Sequence, residues 1–244
     1  MYVHWIFLIY SVTLVCSKWT PERIVGGHSV SIEAVPWQAS LLKNGIHDCG
    51  AVIYSEKIVL TAAHCVDSPD TFQVRVGSSI SNFGGQVVNV LRIIKHEQFG
   101  RYYGISHDIA VIKLQTSLRM GCGVSSIPLA NSYPRPGSLV SVSGWGRTRT
   151  YGKGSDFLLE TTVAIVDQNA CRNSYYGQIT KEMICAAAPG KGVCNGDSGG
   201  PLVFNGTLVG IVSFGGICAH PYFPGVYANV AELRPWILRA IQRL

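Results

Sequence analysis

Charged side chains are scarce in this sequence. Asp, Glu, Lys and Arg make up 14% of the residues, whereas 47% are hydrophobic. Disordered chains have the opposite composition, so the 244 residues are expected to fold around a sizeable core. The formal charge of +6 is also dispersed, since the densest basic cluster is only Arg147, Arg149 and Lys153. This dispersion argues against a nucleic-acid partner.

The sequence contains neither a CxxC pair nor a compact Cys/His cluster. A structural zinc site is built on such patterns, so we predict no metal and no cofactor. Eight cysteines are nevertheless present. This number is typical of an exported protein, in which an oxidising compartment joins most cysteines in disulfides.

A hydrophobic run long enough to span a membrane is also missing. The apolar segment 5–15 is too short to cross a bilayer, and Ser17 suits a signal-peptidase cut. Residues 1–17 are therefore predicted to be a signal peptide, so the mature protein is expected to be secreted, extracellular and unattached to a membrane. Because no Lys or Arg precedes the apolar segment, the alternative of a buried first strand stays open.

Short β-branched runs dominate the rest of the chain, for example FQVRVG, DIAVIKL and TLVGIVSFG. Turns rich in Gly, Asn, Pro and Ser separate them, which is typical of an all-β barrel or sandwich. One helix is predicted at the C terminus, where Pro235 suits the first turn. Its apolar residues recur at steps of three and four: Leu233, Trp236, Ile237, Ala240, Ile241 and Leu244.

Three polar residues stand in settings that favour nucleophilic catalysis. A serine hydroxyl becomes a good nucleophile when a base takes its proton and an acid orients that base. Ser198 lies in a glycine-rich turn, His64 follows a strand-like run, and Asp108 opens another such run. Taken singly, Ser198 also fits an ordinary turn and His64 a structural histidine beside a cysteine. The three together, with their flanking residues, are far more specific.

These flanking motifs resemble the chymotrypsin family of serine proteases. They are IVGG at 24–27, TAAHC at 61–65, DIAVIKL at 108–114, SGWG at 143–146, GDSGGPLV at 196–203 and PGVYANV at 224–230. The resemblance covers residues 24–244, the expected peptidase domain. It implies two packed antiparallel six-stranded β-barrels, at about 32–125 and about 130–229, and a C-terminal α-helix at about 232–243.

The resemblance also implies roles for individual residues. His64, Asp108 and Ser198 would form the catalytic triad, and the backbone N–H groups of Gly196 and Ser198 would bind the oxyanion. His107, next to Asp108, is predicted to be a surface neighbour rather than a second base. The competing hypothesis is a non-catalytic binding module on the same fold, although its usual signature is a lost triad residue.

Activation by cleavage is a further implication of the resemblance. Residues 18–23 would be an activation segment, removed by a protease that cuts after Arg23. The freed amine of Ile24 would pair with Asp197, because a buried carboxylate without a partner is strongly disfavoured. The uncut zymogen is expected to be nearly inactive. The implied partners are protein or peptide substrates, the activating protease and protein protease inhibitors, and a monomer is expected by default.

The primary pocket of this family has at its base the residue six positions before the nucleophile, and trypsin-like members place Asp there. This sequence has Gly192 instead. The other implied pocket residues also lack a carboxylate, and they are Val193, Asn195, Ser213, Phe214, Gly215 and Gly225. A substrate Arg would find no counter-charge. We predict chymotrypsin-like cleavage after large apolar or aromatic residues, with an elastase-like preference for smaller residues as the alternative. Asn195 fits an ordinary turn equally well.

The resemblance pairs six cysteines as Cys49–Cys65, Cys171–Cys185 and Cys194–Cys218, whereas the sequence alone leaves every pairing open. Cys122 has no matching partner and is expected to be free or intermolecular, with Cys16 as an alternative partner. Asn205, in NGT, is a candidate for N-glycosylation or for a hairpin turn. The loop after Gly77 lacks the acidic oxygens that calcium prefers, so no calcium requirement is predicted.

Overall fold

A computed structural model describes residues 25–100 and 105–244. After a short strand β1 (His28–Ser29), six antiparallel strands close into a first barrel in the order β2-β3-β4-β7-β6-β5. These strands are β2 (Gln38–Lys43), β3 (Ile46–Ile53), β4 (Ile58–Thr61), β5 (Phe72–Val76), β6 (Gln86–Lys95) and β7 (Ala110–Leu114).

A second barrel is built from the following six strands. They are β8 (Leu139–Gly144), β9 (Leu159–Ile165), β10 (Met183–Ala187), β11 (Pro201–Phe204), β12 (Thr207–Phe214) and β13 (Gly225–Asn229). Neighbours follow the order β9-β10-β13-β12-β11-β8, and pairing of β8 with β9 closes the sheet. Strand β1 pairs with β9, so the start of the described chain joins the second barrel. The predicted pair of six-stranded barrels is confirmed.

The strands form because apolar side chains recur with the period of a barrel wall. In β5, Phe72, Val74 and Val76 are buried, whereas Gln73 and Arg75 between them are partly exposed. Alternate side chains of a strand point to opposite faces, so this pattern fixes which face lines the interior. It thereby fixes the register in which β5 pairs with β2 and β6.

Two helices accompany the barrels. The predicted C-terminal helix is confirmed as α2 (Val230–Gln242), which is capped by Asn229, whose side chain accepts the N–H of Glu232. Because α2 begins at Val230, Pro235 lies inside the helix and not in its first turn as predicted. Leu233, Trp236 and Ile237 of α2 join the apolar core of the first barrel. The sequence analysis missed α1 (Gln168–Ser174), because this short helix buries only Cys171 and so shows no apolar period.

Three disulfides join the cysteines as the resemblance implied: Cys49–Cys65, Cys171–Cys185 and Cys194–Cys218. Cys122 is exposed and forms no disulfide with any other described cysteine. Its suggested partner Cys16 lies outside the described residues, as do the predicted signal peptide and activation segment, including Arg23 and Ile24. Within the described ranges, no helix combines the length and apolarity needed to span a bilayer.

Replacing Leu60 in β4 with Ala is expected to lower the free energy of unfolding by about 2–5 kcal/mol. Leu60 is fully buried in the first barrel, so the change removes apolar contacts and leaves a cavity. Urea denaturation monitored by tryptophan fluorescence measures the change. The matched control is Leu139→Ala in β8, where the side chain is 68% exposed. Equal losses in the two variants would contradict the barrel core described here.

Candidate active site

The carboxylate of Asp108 accepts hydrogen bonds from both barrels. Asp108 lies just before β7 and is 2% exposed. Its Oδ1 accepts the backbone N–H of His64 at 3.0 Å, and its Oδ2 contacts His64 Nδ1 at 2.7 Å. Ser213, in β12 of the second barrel, donates its hydroxyl to the same Oδ2 at 2.5 Å. An ionised carboxylate only accepts, so Nδ1 of His64 carries a proton.

His64 lies in a short 3₁₀ turn, Ala63–Val66, directly after β4. Burial of its ring works to lower the pKa, but the hydrogen bond and charge of Asp108, helped by the charge of Asp48, outweigh burial and raise it above 6.5. In the neutral ring, Nδ1 donates to Asp108, so Nε2 is the nitrogen that can accept a proton. This arrangement suits a general base.

Ser198 lies in a turn of the second barrel that packs against the first. Its carbonyl accepts the N–H of Gly50 in β3 at 2.7 Å, and the N–H of Gly199 donates to Val212 at 2.7 Å. Gly199 has a φ of +80°, and a Cβ there would lie 2.2 Å from Thr61 Oγ1. Only glycine allows this approach. The turn is thus held against the end of β4, the strand that leads to His64.

The hydroxyl of Ser198 and the ring of His64 are not hydrogen-bonded to each other in the described part of the chain. Nε2 of His64 instead lies 3.7 Å from Sγ of Cys65, in the Cys49–Cys65 disulfide. Ser198 is half-buried, whereas the His64 side chain is 35% exposed. The structure therefore brings His64 and Asp108 into contact and leaves the link to Ser198 open.

Asp197 is a second buried carboxylate, immediately before Ser198. Its Oδ1 accepts the N–H of Gly146 at 2.8 Å and its Oδ2 the N–H of Cys194 at 3.0 Å. Burial raises the pKa of Asp197 to about 6, although the two N–H groups oppose the shift. Among the described residues, no cationic side chain pairs with it. The carboxylate is thus desolvated without a counter-charge.

The sequence analysis overlooked His47, which lies beside the predicted oxyanion hole. Its Nε2 is 3.2 Å from the carbonyl oxygen of Gly196, and its Nδ1 is 2.7 Å from Oγ of Ser40. Burial lowers the pKa of His47, so the neutral ring donates at one nitrogen and accepts at the other. This chain of contacts fixes the peptide of Gly196, whose φ is +98°. No local motif around His47 indicates it.

Four of the predicted pocket residues line one narrow cavity of about 20 Å³: Gly192, Val193, Gly215 and Gly225. No carboxylate lines this cavity, and its ionisable side chains are Lys191 and His220. The other three predicted pocket residues lie elsewhere. Ser213 contacts Asp108, Phe214 packs edge-on against Tyr175 with ring centres 5.6 Å apart, and the exposed Asn195 accepts the N–H of Arg147.

The prediction that His107 is a surface neighbour is wrong. Its side chain is 11% exposed and its Nε2 lies 2.9 Å from Oε1 of Glu182, just before β10. Proximity to Asp108 in the sequence could not reveal this partner, because the second barrel supplies it. Among the described residues, one group is spaced like metal ligands, Cys49, Cys65 and His64, but its cysteines are disulfide-bonded and offer no thiolate.

Comparison with known proteins adds three findings. A family model described as Trypsin matches residues 24–237. Trypsin delta of Drosophila erecta is 48% identical over 224 residues, covering 89% of this chain and 88% of the relative, and trypsin alpha-4 of Lucilia cuprina is 45% identical over 223 residues, covering 89% and 87%. A solved structure of neuropsin, a serine protease expressed in the limbic system of mouse brain, matches with a TM-score of 0.83 and 36% identity, covering 88% of this chain and 98% of its own.

Replacing Asp108 with Asn is expected to lower the pKa of His64. Burial of the ring persists in this variant, while the charge that offsets it is removed. The measurement is an NMR titration of the histidine ring protons. In the unchanged protein the pKa of His64 should lie above 6.5. The control Asp70→Asn removes a carboxylate that pairs with Lys43 and should leave the His64 titration unmoved. A constant His64 pKa in Asp108→Asn would contradict the described contact.

Proposed function

The chain belongs to the trypsin family and is a serine-type endopeptidase, and we propose that His64, Asp108 and Ser198 carry its chemistry. The observation that carries this assignment is the buried carboxylate of Asp108, which holds His64 at two atoms. A carboxylate in this position fixes the imidazole tautomer and stabilises the imidazolium that forms during reaction. Ser213 supplies a third hydrogen bond from the other barrel.

In the proposed reaction, Ser198 Oγ attacks the scissile carbonyl of a peptide while Nε2 of His64 takes the hydroxyl proton. His64 then returns that proton to the leaving amine, and the acyl group stays on Ser198. Water repeats the two steps and releases the acid product. The open Ser198–His64 link is compatible with this sequence, because catalytic hydrogen bonds often tighten only when the substrate is bound.

The backbone N–H groups of Gly196 and Ser198 are proposed to stabilise the oxyanion. Preorganised donors of this kind stabilise the charge that develops on the carbonyl oxygen. Support comes from the groups that fix the turn on both sides: His47 contacts the carbonyl of Gly196, and Gly50 donates to that of Ser198. Each contact comes from the first barrel and holds the peptide group that directly follows a proposed donor N–H.

The protein is proposed to be secreted as a zymogen, with residues 1–17 as signal peptide and 18–23 as activation segment. Cleavage after Arg23 would free the amine of Ile24. The buried, uncompensated carboxylate of Asp197 supports this scheme, because a cation brought to it would offset its desolvation. Asp197 also holds the N–H groups of Gly146 and Cys194, so its pairing is coupled to the shape of the turn.

Cleavage after large apolar or aromatic residues is the specificity that we propose, and it requires the cavity of about 20 Å³ to widen when such a side chain enters. The cavity lined by Gly192 and Val193 contains no carboxylate, and Lys191 would repel a cationic side chain. Burying a substrate Arg there without a counter-charge would cost several kcal/mol. The names of the similar insect proteins favour a trypsin-like preference as the competing candidate. The two candidates differ in the charge of the preferred substrate side chain, so cleavage of matched substrates distinguishes them.

A panel of peptide substrates that differ only in the residue before the scissile bond tests the specificity. We expect kcat/KM to be at least about tenfold higher for Phe, Tyr or Leu than for Arg, since ~1.4 kcal/mol of lost pairing corresponds to tenfold. Fast cleavage after Arg with little after Phe or Leu overturns the proposal. A preference for Ala or Val over Phe would instead support the elastase-like alternative.

The variant Gly192→Asp sharpens the panel. A Cβ at this position would meet Ala219 Cα at 3.5 Å, an ordinary contact, so a side chain can start there without a backbone clash. We expect the variant to gain cleavage after Arg, because it brings a carboxylate to the cavity, while Gly192→Ala should not. No gain in Gly192→Asp would mean that Gly192 is not at the base of the substrate pocket.

Labelling with a fluorophosphonate, which reacts with activated serine hydroxyls, tests the proposed nucleophile and the zymogen scheme together. Protein cut after Arg23 should be labelled on Ser198, and uncut protein nearly unlabelled. The variant Asp197→Asn should stay unlabelled after the cut, because its amide offers no charge to the Ile24 amine. Asp156→Asn, which removes an exposed carboxylate, is the matched control and should label normally. Absence of label from the cut, unchanged protein would reject the assignment of Ser198.

A further inference from the structure

His107 occupies an unusual backbone position directly before Asp108. Its φ is +56°, a left-handed conformation that residues with a side chain seldom adopt. Its carbonyl accepts the N–H of Ile109 at 2.8 Å, so the chain turns sharply around Asp108. Such conformations persist where surrounding contacts hold them. The direction of the Asp108 side chain therefore depends on what holds His107.

The contact that holds His107 comes from the second barrel. Its Nε2 lies 2.9 Å from Oε1 of Glu182, and the two side chains are only 11% and 12% exposed. Glu182 is fixed in turn, because its carbonyl accepts the N–H of Asn229 at 2.8 Å. The pair thus joins the loop before β7 of the first barrel to the segment before β10 of the second. Breaking one partner of a buried pair leaves the other charge uncompensated.

The ring of His96 packs against that of His107. The His96 ring lies 4.5 Å from that of His107 and 4.6 Å from that of Trp236. Burial, followed by the charge of His107, lowers the pKa of His96 to about 4, although Glu97 opposes the shift and Arg239 adds to it. His96 is therefore neutral near pH 7 and packs as an uncharged ring. The ring that contacts the carboxylate of Glu182 is that of His107.

We infer that His107 and Glu182 form an inter-barrel clasp that positions Asp108 against His64. The inference rests on the proposed function, in which Asp108 orients the catalytic base. His107 and Glu182 are positioning residues, since they act on the site through the backbone of Asp108. Misplacement of a catalytic group by 1 Å can cost about 100-fold in rate. A clasp next to Asp108 is therefore expected to affect turnover more than substrate binding.

The test uses activated enzyme with Glu182→Gln and His107→Gln, singly and together. We expect each single variant to lose about tenfold in kcat, a misplacement of less than 1 Å, with KM unchanged. Both single variants affect the same contact, that between His107 and Glu182. The double variant should therefore lose no more kcat than either single variant. The acid limb, by which we mean the fall of kcat/KM at low pH, should also move to lower pH. The reason is that a misplaced Asp108 raises the pKa of His64 less.

The matched control is Glu232→Gln, which removes a carboxylate from the adjacent ion pair with Lys181. Those two side chains are 39% and 78% exposed, and they do not pair with His107. This variant should have the same kcat and the same acid limb as the unchanged protein. The same shift in Glu232→Gln would overturn the inference in favour of a general charge effect. A lower unfolding temperature in Glu182→Gln with unaltered kcat and acid limb would overturn it in favour of a purely structural pair.

Failure of the clasp is distinguishable from failure of the proposed function. The unchanged, cut protein is first labelled with the fluorophosphonate, and absence of label rejects the function itself. The NMR titration of His64 then still decides the clasp, because a lower His64 pKa in Glu182→Gln supports it and an unchanged one overturns it. If His107→Gln does not fold, Glu182→Gln alone decides, since Gln has nearly the size of Glu and removes its charge.

Discussion

A single buried carboxylate, that of Asp108, is the interaction on which the rest of the site depends. It accepts the backbone and ring of His64 from one barrel and the hydroxyl of Ser213 from the other. Removing such a group from water is unfavourable unless its oxygens are hydrogen-bonded. Both barrels must therefore be docked correctly for Asp108 to be satisfied. The requirement couples the packing of the molecule to the orientation of the His64 ring.

The turn that carries Ser198 obeys the same kind of constraint. Gly50 donates to the Ser198 carbonyl, and Gly199 approaches Thr61 so closely that a Cβ could not be accommodated. The nucleophile candidate is thus held by backbone contacts to the strand that ends beside His64. Asp197 closes the turn from inside, where it binds two N–H groups without a counter-charge. The turn is therefore held rigidly where it contacts the first barrel, and its buried carboxylate lacks a counter-charge among the described residues.

The cavity beside this turn is defined by the side chains that its walls lack. Gly192, Gly215 and Gly225 bring no side chains, and its ionisable groups are the basic Lys191 and the histidine His220. Family membership fixes the fold and the class of enzyme, but it does not fix the charge at the base of the cavity. That charge is set by a few side chains, so relatives of high overall identity can differ in the residue they accept. Specificity therefore has to be argued from these residues rather than from the family name.

The sequence by itself determined the strand period, the terminal helix with its apolar stripe, and the flanking motifs of His64, Asp108 and Ser198, because each is written in neighbouring residues. The resemblance also predicts Gly192 at the position where trypsin-like relatives have an acid. The short helix α1 escaped notice, since one buried residue makes no period. Only the tertiary structure decided that Ser213 donates to Asp108, that His47 contacts Gly196 and that His107 pairs with Glu182. Each of these contacts joins residues of different barrels, and a local pattern tells which face of a strand turns inward but not which distant side chain it will meet there.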